Sequence, residues 1–359
     1  MKILNLLLIA SMMLFFSCED KNDSQENETQ KPGSETEVIP DISLSADKLA
    51  LLNNNTNIIT FTVKDKNEKD VTSSAKIFVN EIELEGNTYK SSKKSINNVY
   101  AKIDDKKSNT LTFASKEIVD KAQLSYEKKT ILEDYTATWC GWCPQIFEVI
   151  KNHKNDKKFI PIAIHSNRND PIGYSKTSIL TSKYEVTGYP TGIINRKNKI
   201  GLGWKNNVSG NSNIAIGINS KIEDNKANID LSLNFDQAIS EKIKVVVYLL
   251  ENKLVHYQQN NLSGDSRFES TSFYSLPKTI NDFEHNHVLR KSATDVLGDL
   301  IPEDNTKNQK EFLKHYTINL DEYKSENCEI VAFILYDDNQ SKSGVITAQK
   351  IKLGESINF

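Results

Sequence analysis

By its apolar and polar positions the chain falls into five stretches of different texture. Ile3 to Phe16 is nearly all apolar, and its 14 residues fall short of the roughly 20 that a helix needs to span a bilayer. Residues 19 to about 37 hold almost no apolar side chain. They bury too little surface to offset the entropy of ordering, so they read as a flexible stalk. From Val38 to about Ala122 short β-rich runs follow one another: Ile58–Val63, Lys76–Val79, Val99–Ile103 and Leu111–Phe113. Between about 123 and 220 the texture changes. Thr130–Tyr135 and Lys158–Ile164 predict strands, Pro144–Lys151 and Ser175–Lys183 predict helices, and Ile193-Ile194-Asn195 opens a further strand that turns at Arg196–Lys199 into Ile200. Strand, helix, strand in that order predicts a parallel βαβ unit. Residues 221–359 return to alternation, first at Ile229, Leu231, Leu233 and Phe235, then at Val245, Val247 and Leu249. Ile330–Tyr336 and Val345–Ile351 complete this second β region, which reads as sandwich-like. The expected fold class is therefore multidomain, α/β in the middle and all-β on both sides.

Composition narrows the partners. Of 359 residues 38% are hydrophobic, with 14 Phe and 13 Tyr to fill cores, and the net charge is -3 with both signs interspersed. That gives no electrostatic footprint for nucleic acid. Lys2 ahead of the first apolar run supplies the positive end of an export signal. The run ends Phe15-Phe16-Ser17-Cys18, which resembles a lipobox: residues 1–17 would be removed and Cys18 lipidated as the mature N-terminus. No later segment has the apolar length of a membrane helix, so the rest is expected to be water-exposed and tethered by lipid. The four cysteines are Cys18, Cys140, Cys143 and Cys328. They make one tight pair rather than a disulfide scaffold, and Cys328, at the head of an apolar run, reads as a small buried hydrophobe.

Candidate chemistry centres on Thr138-Trp139-Cys140-Gly141-Trp142-Cys143-Pro144, between a predicted strand and a predicted helix. Two cysteines three positions apart across a first helical turn reach disulfide geometry. The orphan N–H groups and dipole of a helix N-terminus stabilise a thiolate, which makes Cys140 the nucleophile and the deeper Cys143 the resolving thiol. Nothing points to a metal or a cofactor: His153 and His165 do not repeat a ligand-pair spacing. His285-Asn286-His287 places two imidazoles on one face if it is a strand, without a further ligand at metal spacing. Phe273, Tyr274 and Phe283 nearby read as core, or as a ligand surface.

Ile131 to Cys143 resembles the strand and active-site loop of thioredoxins, and Ala137-Thr138-Trp139-Cys140 is similar to the membrane-tethered, TlpA-like branch. The resemblance implies that Asp134 is the buried acid that deprotonates the resolving cysteine. It also matches Val186-Thr187-Gly188-Tyr189-Pro190-Thr191 to the second thioredoxin motif, where Pro190 would be cis and help to form the substrate groove. Pro144 departs from the basic residue common there, although proline is comfortable at a first helical turn.

Residues 38–122 look like a bacterial immunoglobulin-like module. Signal, acidic stalk (18–37), β module, thioredoxin-like centre (123–220) and a β C-terminus (221–359) containing His-Asn-His-Val-Leu-Arg together resemble a lipoprotein family of Bacteroidota. That family is related to the 28-kilodalton outer membrane protein. The resemblance implies outer-membrane attachment by a lipid anchor, on the periplasmic or cell-surface face. Two functions remain open: thiol–disulfide exchange on protein thiols and disulfides, or binding of surface ligands with the thioredoxin-like domain as a scaffold.

Overall fold

The computed structural model describes residues 41–116 and 124–357, apart from 54, 56, 310 and 339. The signal segment 1–17, the stalk 18–37 and Cys18 lie outside the described residues.

The first region is built from β1 (Ile42–Ala46), β2 (Ala50–Leu52), β3 (Ile59–Asp65), β4 (Lys76–Val79), β5 (Ile82–Glu83), β6 (Thr88–Tyr89), β7 (Ser95–Ile103), β8 (Lys106–Lys107) and β9 (Leu111–Lys116). β1, β3 and β6 make one sheet; β2, β9, β7, β4 and β5 make a second, with β8 paired to β7. Alternate residues of β3, namely Ile59, Phe61 and Val63, point inward onto Ile77, Val99 and Phe113 of the second sheet. The period-two pattern places each strand's apolar face on one shared core.

The central region runs β10 (Thr130–Thr136), α1 (Pro144–Asn152), β11 (Phe159–His165), α2 (Thr177–Lys183), β12 (Thr191–Ile194) and β13 (Asn198–Ile200). The expected βαβ unit is present: β10 and β11 pair in parallel from Thr130↔Phe159 to Thr136↔His165. Pro144 stands in the first turn of α1, where its missing N–H leaves no bond unmade. β12 and β13 form a tight antiparallel pair, and the turn between them puts Asn195 and Arg196 at φ of 52° and 55°.

The remaining elements are β14 (Ile214–Glu223), β15 (Lys226–Phe235), β16 (Ile243–Glu251), β17 (Leu254–Gln259), β18 (Thr279–His285), β19 (Val288–Ser292), β20 (Asp299–Leu300), α3 (Glu303–Lys307), β21 (Phe312–Asn319), β22 (Cys328–Tyr336), β23 (Val345–Lys352) and β24 (Ser356–Ile357). They do not stand apart from the centre. β13, β12, β10, β11, β19, β16, β22 and β23 hydrogen-bond in that order, with β20 beside β16, into one nine-stranded sheet. The segments 123–220 and 221–359, read from texture as separate domains, share this sheet; a residue pattern reports the period of a strand but not its neighbours.

Both faces of the shared sheet are covered. On one, Val245, Val247, Leu249, Ile330 and Ala332 pack against Ile229, Leu231 and Leu233, which belong to the four-stranded sheet β21-β15-β14-β24. On the other, Val246, Tyr248, Val331 and Phe333 pack with Ile131, Tyr135, Ile162 and Leu180. β16 and β22 are thus apolar almost throughout, as strands covered on two sides must be. Each fully buried Val, Leu, Ile or Phe there contributes about 1.5–3 kcal/mol.

A buried polar lock joins the two halves. Arg196 donates from Nε and Nη2 to Glu133 Oε1 at 3.0 and 2.9 Å, and from Nη2 to the Tyr248 hydroxyl at 2.7 Å. Tyr248 in turn donates to the Val296 carbonyl at 2.8 Å, and the guanidinium lies 4.8 Å from the Phe333 ring centroid.

Candidate active site

Cys140 and Cys143 form a disulfide with Cα atoms 5.4 Å apart. They occupy the turn that feeds α1: Cys143 N–H donates to the Cys140 carbonyl at 3.1 Å, and Ile146 N–H to the Cys143 carbonyl at 3.0 Å. Cys143 is the residue that caps α1, so Cys140 precedes the helix by a turn instead of standing on its first residue. Cys140 is 5% exposed and Cys143 fully buried. Two large apolar side chains flank the pair at the surface, Trp139 (39% exposed) and Trp142 (37%).

Beneath the pair lies the sheet face that α1 covers. Gly192 on β12 marks this contact, since an added Cβ would sit 3.2 Å from Ile146 of α1. Asp134 pairs with both Gly192 and Ala163, so its side chain is on that same face. It is fully buried and neither carboxyl oxygen has a hydrogen-bond partner. Burial raises its pKa well above the ordinary carboxylate range. A neutral, unpaired carboxyl in this position is available to take or give a proton.

The Tyr189–Pro190 peptide is cis, with Pro190 half-buried. Tyr189 packs against the cluster of Ala137, Cys140 and Cys143, and its ring meets Trp139 edge-on at 5.8 Å. The structure therefore gathers Cys140, Cys143 and the residue preceding Pro190 into one cluster, with Asp134 on the sheet face under the helix.

Several supporting residues lie far off in sequence. The end of β17 and the residues after it fold over the cysteine loop: Gln259 N–H donates to the Thr138 carbonyl at 2.8 Å and Asn261 N–H to the Gly141 carbonyl at 2.7 Å. The buried Gln258 side chain donates to the Cys140 carbonyl at 2.9 Å. A Cβ on Gly141 would fall 2.4 Å from the Asn261 side chain, which would have to shift to admit it. Further along, Ser272 donates through N–H and Oγ to Glu148 on α1, at 3.1 and 2.6 Å. On the other flank, Asp170 accepts from Thr138 N–H at 2.9 Å, Ile172 N–H at 3.1 Å and His165 Nδ1 at 2.9 Å. Burial alone would raise the Asp170 carboxyl, but the bond and charge of His165, with the two amides, hold it below its usual range. No local pattern marks residues 258–272; Asp170, near the end of the Asn167–Asp170 polar run, carries only a turn former's signal.

The His285 and His287 reading needs correction. β18 ends at His285, and His287 follows in the turn at φ 58°, so the two do not share a strand face. His287 binds Glu329 at 3.0 Å. His285 is buried, with its ring 5.1 Å from His165 and 4.8 Å from Phe283. Burial pulls its pKa down to about 3. Cys328 is a buried free thiol, raised to about 12 by burial. Among the described residues no group of three or more His, Cys, Asp or Glu is placed to hold a metal ion, and no helix is long and apolar enough to cross a membrane.

Comparison with known proteins gives two family matches. The family described as Outer membrane protein Omp28 matches residues 177–357, half of the chain, and Thioredoxin matches residues 112–216. Human protein disulfide-isomerase A4 is 38% identical over 69 residues, 18% of this chain and 10% of that protein; the chain spans about a tenth of the curated relative's length. Among solved structures, HBP35 of Porphyromonas gingivalis is similar over 64% of this chain and 77% of its own, at TM-score 0.49 and 19% identity. A protein from Agrobacterium tumefaciens is similar over 65% and 98%, at TM-score 0.39 and 13% identity.

Proposed function

The chain belongs to the Omp28 outer membrane protein family and carries a thioredoxin domain, and from that premise we propose that Cys140 and Cys143 exchange thiols and disulfides with protein substrates. The observation that carries the reading is the Cys140–Cys143 disulfide at the head of α1. A thiolate of a reduced substrate attacks Cys140, the more exposed sulfur; the Cys140–Cys143 bond breaks and Cys143 leaves as a thiolate. Asp134 is the acid through which that sulfur gains its proton. A second substrate thiolate then attacks the substrate sulfur of the mixed disulfide; its bond to Cys140 breaks, Cys140 leaves as a thiolate that takes a proton from water, and the substrate becomes a disulfide. Two electrons pass from substrate to the cysteine pair, and the reverse sequence reduces a substrate. Pro190 and Tyr189 form one wall of the groove where substrate backbone lies.

In this reading Cys18 bears the lipid that fixes the chain to the outer membrane. Residues 38–122 are an immunoglobulin-like spacer, and the C-terminal β region completes the sandwich-like flank. Cys328, buried and with a raised thiol pKa, is no relay of electrons.

The test is a glutathione titration of the pair, followed by assay of Cys140→Ser on a model dithiol and a model disulfide. A reversible transition between roughly -270 and -120 mV, with exchange lost in Cys140→Ser, supports the reading. Full exchange by Cys140→Ser, or a pair that stays oxidised below roughly -300 mV, overturns it in favour of a surface-binding scaffold.

A further inference from the structure

The exchange reading leaves a large cleft beside α1 without a use. It measures about 930 Å³, within the roughly 300–1,000 Å³ of small-molecule sites. Pro161 and Ala163 of β11 form its floor, Phe147 and Ile150 of α1 one wall, and Gln349 of β23 with Ile357 of β24 the wall opposite. Phe273 and Phe283 line one end together with His165 and His285. Phe147 stacks on Phe283 at 5.4 Å, so this end is aromatic.

Charge around the cleft is lopsided. Lys129, Lys151, Lys154, Lys157 and Lys350 line it, against Asp156 and Glu284. Asp156 already accepts from Lys158 N–H and Asn206, and Glu284 from Asn286. Lys350 is held by Glu329 and Lys129 by Gln349. The positive charge open to a ligand therefore comes from the exposed Lys151, Lys154 and Lys157. By themselves these lysines would be a solvated face that complements the C-terminal end of α1.

What sets them apart is the half-open, largely apolar cleft they border and the two imidazoles lining it. His165 and His285 are 1% and 2% exposed, and Nε2 of each has no hydrogen-bond partner. His165 Nδ1 faces the Asp170 carboxylate, so its Nε2 is turned away from that contact. Burial keeps His285 uncharged at ordinary pH. The inner end is thus largely apolar, with His285 uncharged there, and the mouth is cationic.

We propose that this cleft binds a small amphipathic carboxylate, with its apolar body on Ala163, Phe147 and Phe283 and its carboxylate at Lys151, Lys154 and Lys157. The aromatic end and finite volume fit a free small molecule. Binding does not depend on the cysteine pair, so it stands or falls separately from thiol exchange.

Calorimetric titration of the purified protein with dodecanoate, kept below its micelle concentration, tests this. Saturable binding at one site is expected. Octanoate, with four fewer methylenes, should bind at least about tenfold more weakly. Dodecyltrimethylammonium, with the same chain and opposite charge, should also bind at least about tenfold more weakly. The exposed triple variant Lys151→Gln, Lys154→Gln, Lys157→Gln should lose at least about tenfold in dodecanoate affinity while it stays folded and its cysteine exchange stays unchanged. Absence of saturable binding, equal binding of the cationic amphiphile, or undiminished affinity in the triple variant overturns the proposal. Capture by phosphatidylglycerol vesicles without dodecanoate binding also overturns it, since the lysines would then serve a lipid surface.

Discussion

The side-chain amide of Gln258 donates to the carbonyl of Cys140 at 2.9 Å, across 118 positions of sequence. A loop that carries an attacking sulfur gains from fixed geometry, and this bond comes from the other end of the fold. With Asn261 against Gly141, it makes the end of β17 and the loop that follows a brace on the cysteine turn.

Replacing Gln258 by Leu removes that donor and also its bond to the Gln259 carbonyl. A loss of about 1–3 kcal/mol is expected, the cost of unmade buried hydrogen bonds. In the reduced protein, alkylation of Cys140 should become faster as the turn loosens. Urea unfolding and iodoacetamide kinetics check both, and an unchanged alkylation rate would remove the brace from the argument. Gly141→Ala should cost about 1–3 kcal/mol by pushing Asn261 away.

Arg196 bonds Glu133 on β10 and Tyr248 on β16, so it couples strands from both halves of the shared sheet. Arg196→Met leaves the Glu133 carboxylate buried without its partner and is expected to cost about 3–5 kcal/mol. Tyr248→Phe keeps the ion pair and removes one hydroxyl, for about 1–3 kcal/mol. Denaturant titration of the two variants should rank them in that order.

His285 gives the fold an acid-sensitive point. Its folded pKa, about 3, lies below its ordinary 6.5, so the unfolded chain binds a proton first as pH falls. Its stabilising contribution is complete above 6.5 and is lost progressively toward about 3. By about pH 4.5 the loss should reach about 2–3 kcal/mol. His285→Phe, which suits a site beside Phe147 and Phe283, should flatten the fall between pH 7 and 4.5. An equally steep fall in that variant would place the sensitivity elsewhere.

Asp134 works in the opposite direction. Its folded pKa is raised above 3.8 by burial, so above that pH the unfolded chain gives up a proton that the folded chain retains. Stability from the neutral carboxyl is full below about pH 4 and declines as pH rises toward the folded pKa. Asp134→Asn carries no such charge. Its stability relative to the natural chain should therefore improve with rising pH, by up to about 1.4 kcal/mol per unit. Exchange by the pair should slow in the same variant at neutral pH. A pH-independent stability difference would show that Asp134 does not hold its proton.

Much of the centre is written locally. Continuous β-rich runs, period-3.6 spacing and proline at a first helical turn mark Thr130–Thr136, Phe159–His165 and Pro144–Asn152 in the sequence itself. The cysteines and Pro144 sit within one such passage, and Tyr189-Pro190 closes another, so these were legible residue by residue. Tertiary structure alone decided the rest. Strand order is set by which apolar faces find cover, and β19, β16, β22 and β23 extend the β10–β11 pair because both of their faces need burial. Gln258, Asn261 and Asp170 are ordinary polar residues until the chain folds over the cysteine turn, and His285 parts from His287 because a turn intervenes. Their roles depend on desolvation and on partners far away in sequence, and neither is encoded in a local pattern.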